Sequence, residues 1–123
     1  AACDTRIQIA VPSSYFCTFA GSIGSIDHCE CNYIPGILQL GEMYDVAGLI
    51  APRPFCAVAG RWDEIFPIRE TEYAFDELRK IYAAAGAEEN CFFAIGEGGH
   101  RYYKDLAWGF INKQFDHIRS SIP

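Results

Sequence analysis

The chain has 123 residues, half of them hydrophobic and 15% aromatic, and 10 Lys and Arg against 16 Asp and Glu give a formal charge of −6. This composition supports a single hydrophobic core and excludes intrinsic disorder. The acidic balance, with Arg79-Lys80 the only adjacent basic pair, argues against nucleic acid and anionic membrane surfaces as partners, and no apolar run approaches the ~20 residues that span a bilayer.

The first apolar run, Ile7 to Val11, reads as a strand. From Ser13 to Leu40 the sequence has Gly, Ser, Pro, Asn and scattered aromatics without a clean period, the character of a functional loop or lid. A short helix is expected over Glu42 to Leu49, and a second strand over Phe55 to Ala59. The clearest helix runs from Glu70 to Ala85, with Ala74, Leu78, Ile81 and Ala85 spaced to form one face and Gly86 placed as its stop. Its acidic residues Glu70, Glu72, Asp76 and Glu77 read as a solvated surface. Cys91 to Ile95 forms the third strand, and Lys104 to Ile118 the last helix, with Trp108, Ile111, Phe115 and Ile118 on its inner face. The strand runs are continuously apolar, as in a parallel sheet covered on both faces. The expected class is α/β, about three parallel strands with covering helices. Three strands leave both sheet edges unpaired, which raises the expectation of a missing piece, or of a homo-oligomer formed through the exposed edge.

The six cysteines, at 3, 17, 29, 31, 56 and 91, are expected to be reduced and mostly structural, since a chain this hydrophobic needs no disulfide framework. His28, Cys29 and Cys31 invite a metal reading, but Cys-x-Cys is too tight for the usual zinc knuckle and no second ligand pair follows. No metal and no cofactor are expected. His117 sits near a helix C-terminus, where partial positive charge is favourable.

Two residues carry the catalytic reading. Asp63 lies four residues past Ala59, after a glycine, and His100 follows Gly96-Glu97-Gly98-Gly99 after the third strand. Ligands of open α/β sheets sit beyond the carboxyl ends of the strands. Glycine tolerates positive φ, so the three glycines are expected to let the loop swing the imidazole over the sheet edge. Asp followed by His is the second half of a Ser…Asp…His hydrolase order, in which His carries the proton and Asp holds its tautomer. Taken singly, Asp63 also reads as a cap or solvated loop acid, and His100 as an exposed loop histidine. Trp62 could line an acyl or sugar pocket or pack in the core, and Arg101, Tyr102 and Tyr103 carry the same two readings.

The stretch Ala51-Pro52-Arg53-Pro54 leads into an apolar strand, followed by Gly60-x-x-Asp63-x-x-x-Pro67 and, after the last strand, Gly99-His100. This set resembles the dienelactone hydrolase and acetyl xylan esterase side of the α/β-hydrolase superfamily, from Arg6 to about Phe115. His28-Cys29-Glu30-Cys31-Asn32-Tyr33-Ile34-Pro35-Gly36 is similar to a subgroup of esterase-like members. The resemblance implies that Asp63 is the triad acid and His100 the triad base, and that the complete enzyme takes a small-molecule or carbohydrate ester. It also implies a Gly-x-Ser-x-Gly elbow ahead of the segment beginning near Arg6, and these 123 residues contain none. Ser13, Ser14, Ser22, Ser25, Ser120 and Ser121 all lie outside any elbow. Cys17 is an alternative nucleophile, since dienelactone hydrolases use cysteine, but it too lacks the elbow context. The expectation is therefore the C-terminal half of a carboxylic-ester hydrolase domain, spanning residues 1–123 and inactive alone. The alternative is a noncatalytic self-associating module derived from that fold.

Overall fold

A computed structural model describes residues 1–120, and Ser121 lies outside the described residues. Strands β1 (Phe55–Gly60) and β2 (Cys91–Gly96) form a parallel ladder in flush register, from Phe55 opposite Cys91 to Gly60 opposite Gly96. The first expected strand, Ile7 to Val11, is an extended segment rather than a full ladder, bridging β1 in parallel at Ala10 and, past its expected end, at Ser13. Its hydrogen bonds alternate as a strand's do: Ala10 N–H donates to Pro54 O, Cys56 N–H to Ala10 O, Val58 N–H to Pro12 O and Ser14 N–H to Val58 O. Pro12 has no N–H to donate, which thins the ladder. Val11 and Ser13 direct their backbone groups to the opposite edge, where no strand lies among the described residues.

Every residue of β1 is buried, and its alternation feeds two cores. Phe55 and Ala57 point to one face, against Phe16, Cys17, Phe19, Met43, Ala74, Leu78 and Tyr82; Cys56 and Val58 point to the other, against Tyr103 and Ala107. Helices α1 (Ile37–Leu40) and α2 (Met43–Gly48) precede β1, α3 (Ile68–Ala84) crosses from β1 to β2, and α4 (Lys104–Ser120) covers the second face. No described helix is long and apolar enough to cross a membrane.

Helix α3 ends where the sequence says. Gly86 takes φ 68°, its N–H reaches Ala83 O, and Ala87 N–H reaches Tyr82 O, the paired bonds of a Schellman stop. Its buried stripe is Thr71, Ala74, Phe75, Leu78 and Tyr82, so Ala85, expected inside, is exposed. Glu70 is half-buried rather than solvated, accepting a 2.8 Å bond from Thr18 Oγ1. Helix α4 is rotated from the expected face. Ala107 and Gln114 are buried with Phe110 and Ile111 partly so, while Trp108 and Phe115 are about half exposed.

The segment expected to be an irregular lid also builds core. It forms a π-helical turn (Phe19–Ile23) and a 3₁₀ turn (Glu30–Asn32), and buries Phe16, Cys17, Phe19 and Ile23. Glu42 fastens it down, accepting from Phe19 N–H at 2.6 Å and Ala20 N–H at 3.2 Å while also capping α2. The Pro-Arg-Pro lead-in acts as a second fastener. The Arg53 guanidinium donates to the carbonyls of Ala1, Asp4 and Ile7, and Arg53 O accepts from Tyr82.

Candidate functional site

The flush ends of β1 and β2 put the loops after them side by side. Arg61 N–H donates to Gly96 O and Trp62 N–H to Gly98 O, both at 2.9 Å, so the two loops are laced together before either site residue is reached. The glycines serve this close approach. A Cβ at Gly60 would collide with the carbonyls of Gly98 and Gly99, and one at Gly96 with the ring of Tyr103. None of Gly96, Gly98 and Gly99 takes the positive φ expected for them; a positive φ occurs instead at Gly36, Gly41, Gly86 and, unusually, Ser14 (φ 51°).

Asp63 and His100 meet. His100 Nδ1 lies 2.9 Å from Asp63 Oδ2, and an ionised carboxylate only accepts, so the ring nitrogen donates. The Asp63 side chain is fully buried, while that of His100 is 44% exposed. The other carboxylate oxygen, Oδ1, accepts from the N–H groups of Ile65 at 2.9 Å and Phe66 at 3.0 Å. The loop's own backbone thus satisfies the buried charge, and Oδ2 is left for the imidazole. Asp63 is neither a solvated loop acid nor a helix cap. The bond fixes His100 with its proton on Nδ1, leaving Nε2 without a hydrogen bond among the described residues, on a side chain that is 44% exposed.

Around this pair lies a set of aromatic contacts that sequence reading missed. The Phe66 ring is buried and stacks on His100, centroids 5.8 Å apart and planes at 20°. Tyr15 and His28 close on the same phenyl ring at 5.3 and 5.5 Å. Two serines tie the 13–28 segment to the site loops. Ser14 Oγ donates to Arg101 O at 3.0 Å, beside His100, and Ser22 Oγ donates to Ile65 O at 2.6 Å, beside Asp63. Phe66 occupies an unspecified position of Gly-x-x-Asp-x-x-x-Pro, so only its apolar character before Pro67 hinted at it.

No described serine or cysteine hydrogen-bonds to His100. Ser22 is wholly buried with its proton committed to a carbonyl, Ser14 is committed to Arg101, and Ser13 Oγ is buried without a partner. Cys17 is fully buried, and burial raises its thiol above the ordinary range. All six cysteines are free; burial pushes Cys56 to about 11 and Cys91 to about 12, which keeps both as neutral thiols. Among the described residues, no three His, Cys, Asp or Glu side chains converge as a metal site. Trp62 is 70% exposed, so it packs in no core. Tyr103 is core, its hydroxyl donating to Gly99 O at 2.8 Å, whereas Tyr102 is exposed and Arg101 lies over the Tyr103 ring.

No protein-family model matches the chain, and a search of curated proteins finds no match. Among solved structures it is similar to a carbohydrate esterase family 15 glucuronoyl esterase from Caldicellulosiruptor kristjansonii, with TM-score 0.65 and 19% identity over 85% of this chain. It is also similar to the methylesterase BT1017, with TM-score 0.68 and 22% identity over 92% of this chain. The chain spans 35% of the first of these proteins and 26% of the second. The likeness is one of fold: a small parallel sheet with covering helices, part of an α/β-hydrolase-like fold.

Proposed function

We propose that this chain supplies the acid and the base of a carboxylic-ester hydrolase, Asp63 and His100, and that the nucleophile comes from outside these 123 residues. The observation that carries the reading is the 2.9 Å bond between a half-exposed imidazole and a buried carboxylate already held by two backbone N–H groups. A solvated pair would need no such burial. In this role His100 Nε2 takes the proton of the attacking hydroxyl or thiol and returns it to the leaving alcohol, while Asp63 stabilises the imidazolium between those steps. Residues 1–123 are then the C-terminal half of the domain. The elbow-bearing half would pair its strand with the open edge at Val11 and Ser13. On the dienelactone hydrolase and acetyl xylan esterase resemblance, and on the similarity to a glucuronoyl esterase and a methylesterase, the substrate class is an ester carried by a small molecule or a carbohydrate. Trp62, exposed beside Asp63, suits the face of a sugar ring.

The test compares hydrolysis of p-nitrophenyl acetate by residues 1–123 with that by the longer polypeptide encoded in frame upstream of Ala1. The short chain is expected to give no turnover above free imidazole. The longer one is expected to turn over, and to lose about 10³–10⁴-fold with Asp63→Asn or His100→Ala. Full activity in both variants would sink the reading.

The open edge at Val11 and Ser13 also favours a second reading, a noncatalytic module that pairs with its own copy. Light scattering at micromolar concentration separates the two: a stable dimer supports the module, and a monomer removes it.

A further inference from the structure

The Asp63 loop is held from both sides of a single peptide unit. The Phe66 N–H donates to Asp63 Oδ1 at 3.0 Å, and the Ile65 carbonyl of the same peptide accepts from Ser22 Oγ at 2.6 Å. Ser22 Oγ has one proton, and a carbonyl can only accept, so that proton is spent on Ile65. The 3.1 Å contact between Ser22 Oγ and His28 Nε2 must therefore run the other way, with His28 donating. The tautomer of His28 follows: its proton sits on Nε2. A directional chain results, from His28 Nε2–H to Ser22 Oγ–H to Ile65 C=O, and through the same peptide from Phe66 N–H to Asp63 Oδ1. Each bond polarises the next, and the Ser22 and Asp63 side chains within it are buried. His28 also meets the Phe66 ring in an edge contact, the same ring on which His100 stacks.

We propose that Ser22 and His28 are positioning residues that fix the Asp63 carboxylate against His100, acting through the peptide between Ile65 and Phe66 and through the Phe66 ring. Neither touches His100 directly. Ser22 cannot be a nucleophile, because its proton is committed and it has no exposed surface. The inference rests on the reading of Asp63 and His100 as acid and base. It adds that the acid is aimed from the 18–28 segment, more than thirty residues before it in the chain.

The measurement is proton NMR of residues 1–123, following the His100 Nδ1–H resonance and its exchange with water, with folding checked by circular dichroism and thermal unfolding. Wild type is expected to show a slowly exchanging downfield proton that vanishes in Asp63→Asn. In Ser22→Ala and His28→Leu the proton is expected to exchange about fivefold to tenfold faster, the size of one lost hydrogen bond. His28→Gln, whose amide N–H stands in for the ring Nε2–H, is expected to restore the slow rate. If Asp63→Asn leaves the proton unchanged, the acid–base pairing itself fails. If Asp63→Asn removes it while Ser22→Ala and His28→Leu match wild type, the positioning role fails and the pairing stands. Should Ser22→Ala not fold, the half-buried His28 decides alone: equal rates in the Leu and Gln variants overturn the proposal.

Discussion

Ser14 reaches across 87 residues to donate from Oγ to the carbonyl of Arg101 at 3.0 Å, and does so with its backbone at φ 51°. The last residue of the extended segment to bond β1 is thus tied directly to the residue after His100. A left-handed φ costs a non-glycine residue about 1–2 kcal/mol, and a buried hydrogen bond contributes about as much. The two substitutions that remove the hydroxyl should therefore differ. Ser14→Ala loses the bond and keeps the strain, whereas Ser14→Gly loses the bond and relieves the strain. Urea unfolding is expected to find the Gly variant more stable than the Ala variant by about 1 kcal/mol.

Asp63→Ala should cost more than an ordinary loop substitution. It leaves the N–H groups of Ile65 and Phe66 without their acceptor, the second of them in a buried residue, and takes away the partner of His100. An expected loss of about 2–4 kcal/mol follows from stranded donors at about 1–3 kcal/mol each, partly offset by water reaching the opened loop. Asp63→Asn retains one acceptor oxygen and should lose less, and equal losses in chemical denaturation would contradict this account.

Gly96→Ala is expected to damage the site without touching Asp63 or His100. The new methyl would enter the Tyr103 ring, whose hydroxyl holds the Gly99 carbonyl beside His100. Overpacking of this kind costs about 1–3 kcal/mol. Trimming the obstruction should recover part of that loss, so the double variant with Tyr103→Leu is expected to be more stable than the two single losses summed.

Alkaline pH should destabilise the fold through its thiols. Burial raises Cys56 to about 11 and Cys91 to about 12, and it raises the Tyr82 hydroxyl as well. The folded chain holds these protons more tightly than the unfolded one, so stability falls as pH rises wherever the unfolded chain has released them. Their contribution is fully present below the unfolded thiol value of about 8.5–9 and is lost as pH climbs to 11 and 12. The urea midpoint is expected to stay level from pH 7 to 8 and to fall between pH 9 and 12. Cys56→Ala with Cys91→Ala should flatten that fall; an unchanged slope would assign it elsewhere.

What could be read from the sequence was local and periodic. Gly86 after an apolar heptad-like run marked the end of α3, and Asp63 and His100 were visible because each sits a few residues beyond a run of apolar residues. The rest depended on contacts with no local signature. Apolar residues lie all around α4, so the sequence offered Trp108 and Phe115 as readily as Ala107 and Phe110, and only packing on Cys56 and Val58 chose between them. The role of Gly96 cannot be seen without Tyr103 above it. Ser22 and His28 fall in an aperiodic stretch and act on a carbonyl 43 residues away from Ser22, a separation over which spacing carries no information. Glu70 looked solvated because its helix neighbours are, yet Thr18 draws it inward.

The flush register of β1 and β2 makes the molecule intolerant of length changes at one end and permissive at the other. Gly60 and Gly96 stand opposite each other, so Asp63 and His100 leave the sheet from the same level. One residue added between Gly96 and His100 would displace the imidazole by about 3.3 Å, beyond hydrogen-bond reach of the carboxylate. An insertion between the exposed Glu88 and Glu89, at the far end of β2, would lengthen the crossover and leave both strand ends aligned. Variation in chain length among proteins that keep this pair of residues is therefore expected to accumulate at the bottom of the sheet and to be absent from the few positions above it.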